Sequence, residues 1–142
     1  MMTTRYLIDA SSFISLVKKT DLKRAEDLLE KSSILELTFY EVGNAIWKET
    51  CITKFISKNE FEAMQNAAQI ILARIERLPN EIRSFKEILE ISENEKLSFY
   101  DSSYLFSAKE LGLTLVTEDR RLSVKARKYG QVESIESLLG VT

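Results

Sequence analysis

The sequence predicts an α/β fold: a short parallel β-sheet of about four to five strands, flanked by helices on both faces. Three observations carry that prediction. Short apolar runs recur along the 142 residues, and several end in polar residues that suit a helix start. Between these runs, apolar residues return at helical spacing. No Gly-, Pro- or Ser-rich linker interrupts the alternation, so residues 1–142 read as one domain. With 44% apolar residues, a chain of this length can build a core without disulfide staples.

Tyr6-Leu7-Ile8 reads as a buried strand that ends in Asp9 and the Ser11-Ser12 pair, a helix start. Phe13, Ile14, Leu16 and Val17 carry the first helix, and Lys18-Lys19-Thr20-Asp21 breaks it. Asp21 to Lys31 is amphipathic, with Leu22, Ala25, Leu28 and Leu29 on one face. Ile34 to Leu37 is the second predicted strand, after which Thr38 opens a helix through Val42, Ala45 and Ile46 towards Thr50. From Lys58 to Arg77 the set Phe61, Met64, Ala68, Ile71, Leu72 and Ile75 predicts a long helix. Pro79-Asn80 separates it from another, Glu81 to Ile91. Ser98 begins a helix through Tyr104, Leu105 and Ala108 that closes at Gly112. Leu113 to Val116 is a third strand, Asp119 to Tyr129 a helix stopped by Gly130, and Val132 to Ile135 a last strand.

Composition excludes whole classes of chemistry. There is no His, which removes Ser-His-Asp and Cys-His catalysis and His-containing zinc sites. The lone Cys51 removes internal disulfides and multi-cysteine metal sites. Lys+Arg number 20 against 22 Asp+Glu, a formal net charge of -2, so no global basic field recruits nucleic acid. Met1 to Tyr6 lacks an apolar signal region, and no apolar run approaches the ~20 residues that span a bilayer. An intracellular, cytoplasmic protein is expected, without a membrane partner.

Asp9, Glu41, Asp101 and Asp119 stand where strands give way to helices. Each has an ordinary explanation. Asp9 suits a cap for the first helix, and Thr38-Phe39-Tyr40-Glu41 fits a capping box. Ser98-Phe99-Tyr100-Asp101 is a weaker box, and Asp119 suits an N-cap. Taken jointly they suggest more, because ligands of parallel α/β sheets sit beyond the carboxyl ends of the strands. Carboxylates about 5 Å apart repel by roughly 3 kcal/mol per pair at an effective dielectric near 20. Without a cation, at least one is driven towards protonation. An all-oxygen site favours Mg²⁺ or Mn²⁺ over zinc, and such an ion can activate water and neutralise a phosphodiester.

Four fragments, in this order and spacing, give a family resemblance: Leu7-Ile8-Asp9-Ala10-Ser11, Glu41-Val42-Gly43-Asn44-Ala45, Leu97-Ser98-Phe99-Tyr100-Asp101-Ser102-Ser103-Tyr104 and Leu115-Val116-Thr117-Glu118-Asp119-Arg120-Arg121-Leu122. Over nearly its whole length the chain resembles a PIN domain, in particular the VapC-type toxin nucleases. The resemblance implies a metal-dependent endoribonuclease with Asp9, Glu41, Asp101 and Asp119 as the catalytic, metal-holding acids. It also implies that the hydroxyls of Ser11 and Thr117 support those acids and that Asn44 is a polar neighbour one turn after Glu41. A homodimer and a cognate antitoxin follow from the same resemblance. Ser102-Ser103 stands where small residues such as Ala are common, a departure that leaves the acids intact.

RNA needs a local basic patch. Arg120, Arg121, Lys125, Arg127 and Lys128 form the densest one, and Arg120, beside Asp119, is the candidate phosphate contact. A solvated helix face that balances nearby acids is the plainer reading of the run as a whole. Trp47, Phe55, Phe61 and Phe85 are expected in the core, and packing is the expectation for Tyr6, Tyr40, Tyr100 and Tyr104. Glu118 reads as solvent-facing. The glycines form no P-loop, and Ser11 occupies the place of the second Asp of a haloacid-dehalogenase-like site. The alternative from another class is a non-catalytic PIN-like module that docks RNA or protein, against which the four intact acids speak.

Overall fold

Leu7-Ile8, Ile34-Leu35 and Leu115-Val116 are adjacent apolar pairs, and a strand sends successive side chains to opposite faces. Each pair therefore supplies both sides of a sheet. Ile8, Ile34 and Val116 enter one core cluster, while Leu7, Leu35 and Leu115 enter the other. The computed structural model describes residues 4–140 apart from Thr20 and Phe55. Thr20 of the expected polar break, Phe55 of the expected core aromatics and residues 1–3 lie outside the described residues.

The strands are β1 (Tyr6–Ile8), β2 (Ser32–Leu35), β3 (Glu76–Leu78), β4 (Thr114–Val116) and β5 (Val132–Glu133). They form one five-stranded sheet in the order β3-β2-β1-β4-β5, and every pairing is parallel. Leu7 lies between Ser33 and Leu115 in register. The helices are α1 (Ala10–Lys19), α2 (Leu22–Glu30), α3 (Glu36–Trp47), α4 (Lys58–Arg74), α5 (Phe85–Glu95), α6 (Phe99–Leu111), α7 (Arg120–Ala126) and α8 (Ile135–Leu139). Buried side chains of α1 to α4 and α8 cover the Ile8 face, and those of α5 to α7 cover the Leu7 face. This is the predicted α/β architecture. No helix among the described residues is long and apolar enough to cross a membrane.

The differences from expectation have physical causes. β2 begins at Ser32 rather than Ile34, because the strand is buried throughout and need not alternate. Ser32 Oγ is satisfied by the Leu28 carbonyl at 2.6 Å, so a polar side chain is tolerated there. α3 consequently starts at Glu36, with Leu35 as an N-cap that offers no side-chain bond. Thr38 is inside the helix and no capping box exists at Glu41. The predicted 58–77 helix stops at Arg74, and Glu76–Leu78 pairs with β2 as an exposed edge strand. Its Glu76 and Arg77 continue the helical polar face, so only the tertiary pairing distinguishes it.

The predicted 81–91 helix is a 3₁₀ turn at Ile82–Ser84 followed by α5. α7 ends at Ala126 rather than Tyr129, and Ile135 leaves the predicted last strand to begin α8 under a Ser134 cap. Trp47 and Phe85 are exposed rather than core, as are Tyr40 and Tyr100. The helix expected to run towards Thr50 leaves α geometry at Trp47 and continues as a π turn, Lys48–Ile52.

Candidate active site

β1 has β2 on one side and β4 on the other, so the chain reverses its direction of winding there. The carboxyl ends of β1 and β4 thus flank a crevice. Asp9 follows β1 directly and is 4% exposed. Its Oδ1 accepts from Ser11 Oγ at 2.7 Å and from the Ser12 N–H at 2.9 Å. Its Oδ2 accepts from Thr117 Oγ1 at 2.5 Å. Thr117 Oγ1 also accepts from the Asp119 N–H at 3.0 Å, and Ser11 Oγ from the Glu118 N–H at 2.9 Å. The two predicted supporting hydroxyls thereby stitch the end of β1 to the loop after β4.

The other acids arrive on helices. Glu41 lies in the second turn of α3, where its Oε1 accepts from the Tyr104 hydroxyl at 2.8 Å. That hydroxyl also bonds Thr38 Oγ1 at 2.6 Å. Asp101 sits in the first turn of α6, its N–H donating to the cap residue Ser98 at 3.0 Å. Asp119 is exposed and caps α7 through the Leu122 N–H at 3.1 Å. The capping explanation therefore holds for Asp9 and Asp119 and fails for Glu41.

The acids feel one another. Burial is the main force raising the Asp9 carboxyl above its usual range; the bonds from Thr117, Ser12 and Ser11 pull it back, and the Asp101 charge raises it further. Burial also raises Glu41, with Tyr104 opposing and the charges of Asp101 and Asp9 adding. Asp101 is raised by burial and by Asp119, against the charge of Arg121 and the Ser98 hydrogen bond. The four predicted residues thus form one electrostatically coupled group. Among the described residues the ion pairs are Lys18–Glu49, Arg83–Glu81 and Lys128–Glu95, so none neutralises this group.

Among the described residues no three acids already form a tight ligand cluster. The donor set nonetheless fits a hard divalent ion that retains several waters and needs few protein oxygens. A buried Asp9 and half-buried Glu41 and Asp101, raised by burial and by neighbouring acids with Arg121 acting against the shift at Asp101, are what such an ion relieves.

Asn44 is exposed one turn after Glu41 on α3. Arg120 is exposed at the start of α7 and forms no side-chain hydrogen bond or ion pair among the described residues. Arg127 is likewise exposed and without a side-chain partner among the described residues, whereas the other three of the basic run behave differently. Lys128 Nζ meets Glu95 Oε1 at 2.6 Å, Lys125 Nζ donates to the Glu95 carbonyl, and Arg121 donates to the Lys96 carbonyl at 2.5 Å. Glu118 is not merely solvent-facing, since its Oε1 accepts from the Ile135 N–H at 2.7 Å. Tyr104 had a usable sequence signal, because three residues after Asp101 puts both on one helix face. Thr38 had none once it was assigned to a cap. An apolar cleft of about 890 Å³, walled by Leu37, Pro79, Ile82, Phe85 and Tyr100, contains none of the four acids.

The family model for the PIN domain matches residues 6–128. Exonuclease VapC9 of Pyrobaculum aerophilum is 35% identical over 136 residues, 94% of this chain and 95% of the relative. The crystal structure of PAE2754 from Pyrobaculum aerophilum superposes with a TM-score of 0.81 at 33% identity, covering 96% of this chain and 88% of that one. FitAcB from Neisseria gonorrhoeae gives a TM-score of 0.55 at 15% identity, over 90% of this chain and 96% of that one, a likeness of fold alone.

Proposed function

Because this chain belongs to the PIN-domain family, we propose that it is a Mg²⁺- or Mn²⁺-dependent endoribonuclease and the toxin of a toxin–antitoxin pair. One observation carries the proposal: at the carboxyl edge of the sheet burial raises the carboxyls of Asp9, Glu41 and Asp101, the charge of Asp101 adds to the first two and that of Asp119 to Asp101, and among the described residues no ion pair offsets them. A module that only docks has no use for that repulsion. The name of the VapC9 relative supports nuclease chemistry and specifies an exonuclease, so internal cleavage is the part of the proposal that needs its own substrate.

Asp9, Glu41, Asp101 and Asp119 are the residues that would hold the ion. When bound, it supplies an acidified water and offsets the charge that develops on the phosphodiester. Asp9 is locked in orientation by Ser11, Ser12 and Thr117, so its carboxylate need not reorganise on loading. Glu41 has Oε1 occupied by Tyr104 and no hydrogen bond to Oε2 among the described residues. Arg120, without a side-chain partner among the described residues, serves the phosphate backbone. A homodimer and an antitoxin belong to the same reading. The apolar cleft and the exposed Phe39, Tyr40 and Trp47 on α3 suit protein contacts.

The test incubates the purified protein and an Asp9→Asn variant with a panel of structured linear and circular RNAs, with Mn²⁺ or with chelator. Cleavage of linear and circular RNA by wild type alone, and only with metal, is expected. Digestion of linear RNA with the circle spared replaces internal cleavage by exonuclease action. Equal cleavage by both proteins, or none by either, removes the enzymatic reading and leaves the docking module.

A further inference from the structure

The buried hydroxyl of Tyr104 is not needed for packing. The residue is 1% exposed in the core between α6 and the sheet, where a phenylalanine ring would fill the same space. Burying a hydroxyl is unfavourable unless it is hydrogen-bonded, and Thr38 alone would satisfy it. Instead it makes a second bond, to Glu41 Oε1 at 2.8 Å. An ionised carboxylate only accepts, so the Tyr104 proton points to Glu41 and Thr38 must donate its own proton to the Tyr104 oxygen. The order Thr38 to Tyr104 to Glu41 is thus fixed by the chemistry of its last member.

Both ends of this relay are anchored. Thr38 and Glu41 are one turn apart on α3, and Asp101 and Tyr104 are one turn apart on α6. Helix α6 therefore delivers one acid of the crevice and, a turn later, the group that holds another acid in place. We infer that Tyr104 is a positioning residue for Glu41: its hydroxyl, oriented by Thr38, fixes one carboxylate oxygen and leaves the other, without a partner among the described residues, for a ligand in the crevice. This rests on the reading of the crevice as a divalent-ion site, and it concerns only how this chain presents one donor to it.

The experiment uses the full chain and three variants, Tyr104→Phe, Thr38→Val and Thr38→Ser. Mn²⁺ affinity is measured by calorimetric titration, apo melting temperature by thermal unfolding, and the Glu41 conformation by crystal structures of wild type and Y104F. Removing a hydrogen-bond partner of a metal-holding group costs typically 10- to 100-fold in affinity, so Y104F is expected to bind Mn²⁺ at least ~10-fold more weakly. Thr38→Val should weaken it less, because Tyr104 can still donate, and Thr38→Ser, which keeps the hydroxyl, should restore the wild-type value. A merely structural role of the hydroxyl would lower the apo melting temperature of Y104F and leave its Mn²⁺ affinity unchanged, and a purely packing role would leave both unchanged; either result would overturn the inference. A wild type that takes up no Mn²⁺ would sink the ion-site reading instead. The crystal structures then decide the positioning role: a displaced Glu41 carboxylate in Y104F supports it, and an unmoved one overturns it.

Discussion

Two groups of acids share this fold and are treated in opposite ways. In the crevice beyond β1 and β4, burial and mutual repulsion hold Asp9, Glu41 and Asp101 above the usual carboxylate range. In the seam between α5 and α7, Glu95 is also buried, but Lys128 and the Tyr129 hydroxyl each bond it at 2.6 Å and its carboxyl is held below the usual range. Where an acid serves the fold, the chain supplies the cation from its own sequence. Where the acids lack an ion pair among the described residues, the proposed cation would supply the charge from outside. The basic run after Asp119 makes the point again, because its lysines are committed to α5 while Arg120, beside the crevice, and Arg127 have no side-chain partner among the described residues.

The sharpest way to break this contrast is to neutralise one acid from each group. Asp9→Asn should lower cleavage by more than about 100-fold, beyond the usual effect of losing a mere supporting partner. Glu95→Gln should leave cleavage within a few-fold and lower the melting temperature. Glu41→Gln, by relieving repulsion from Asp101 and Asp9, should not lower the apo melting temperature. The same melts falling together for Glu41→Gln and Glu95→Gln would erase the distinction between the two regions.

Acidity sharpens it further. An acid whose carboxyl is raised in the folded state binds protons more readily there than when unfolded, so the crevice destabilises the apo protein as pH rises from the ordinary carboxylate value through the raised one. Glu95 has the opposite sign: its contribution is present above the ordinary value and is lost as pH falls through the depressed one. Denaturant melts of wild type and Glu95→Gln between about pH 3 and pH 8 should converge at the acidic end. Curves that stay parallel throughout would remove Glu95 as an ionised partner.

The smallest expected effect is at Arg120. Arg120→Ala should weaken RNA binding a few-fold and reduce the slope of log affinity against log salt by about one contact. Lys125→Ala should act on stability instead, through the α5 carbonyl it holds.

Much of this was legible in the sequence, for definite reasons. The apolar pairs Leu7-Ile8 and Leu115-Val116 state a sheet buried on both faces, and the acids that follow them mark its carboxyl edge. What was not legible depends on partners remote in the chain. Ser32 and Ser33 look like a loop until β1 pairs with them, and Glu76–Leu78 looks like the tail of a helix until β2 does. Thr38 suits a cap by its local spacing, yet its partner is Tyr104, 66 residues away. The compensation of Glu95 likewise spans more than 30 residues. Periodicity reports what a segment buries, and it is silent on which distant group satisfies a buried polar atom.

The central claim is that the crevice acids make a site for a divalent cation. Its most direct test is the thermal unfolding of wild type and Asp101→Asn in chelator and in Mn²⁺ at about 100 times its dissociation constant. Binding to the folded state alone predicts a wild-type rise on the order of 5–10 °C, with a clearly smaller rise in the variant. Superimposable wild-type melts with chelator and with millimolar Mn²⁺ would contradict it.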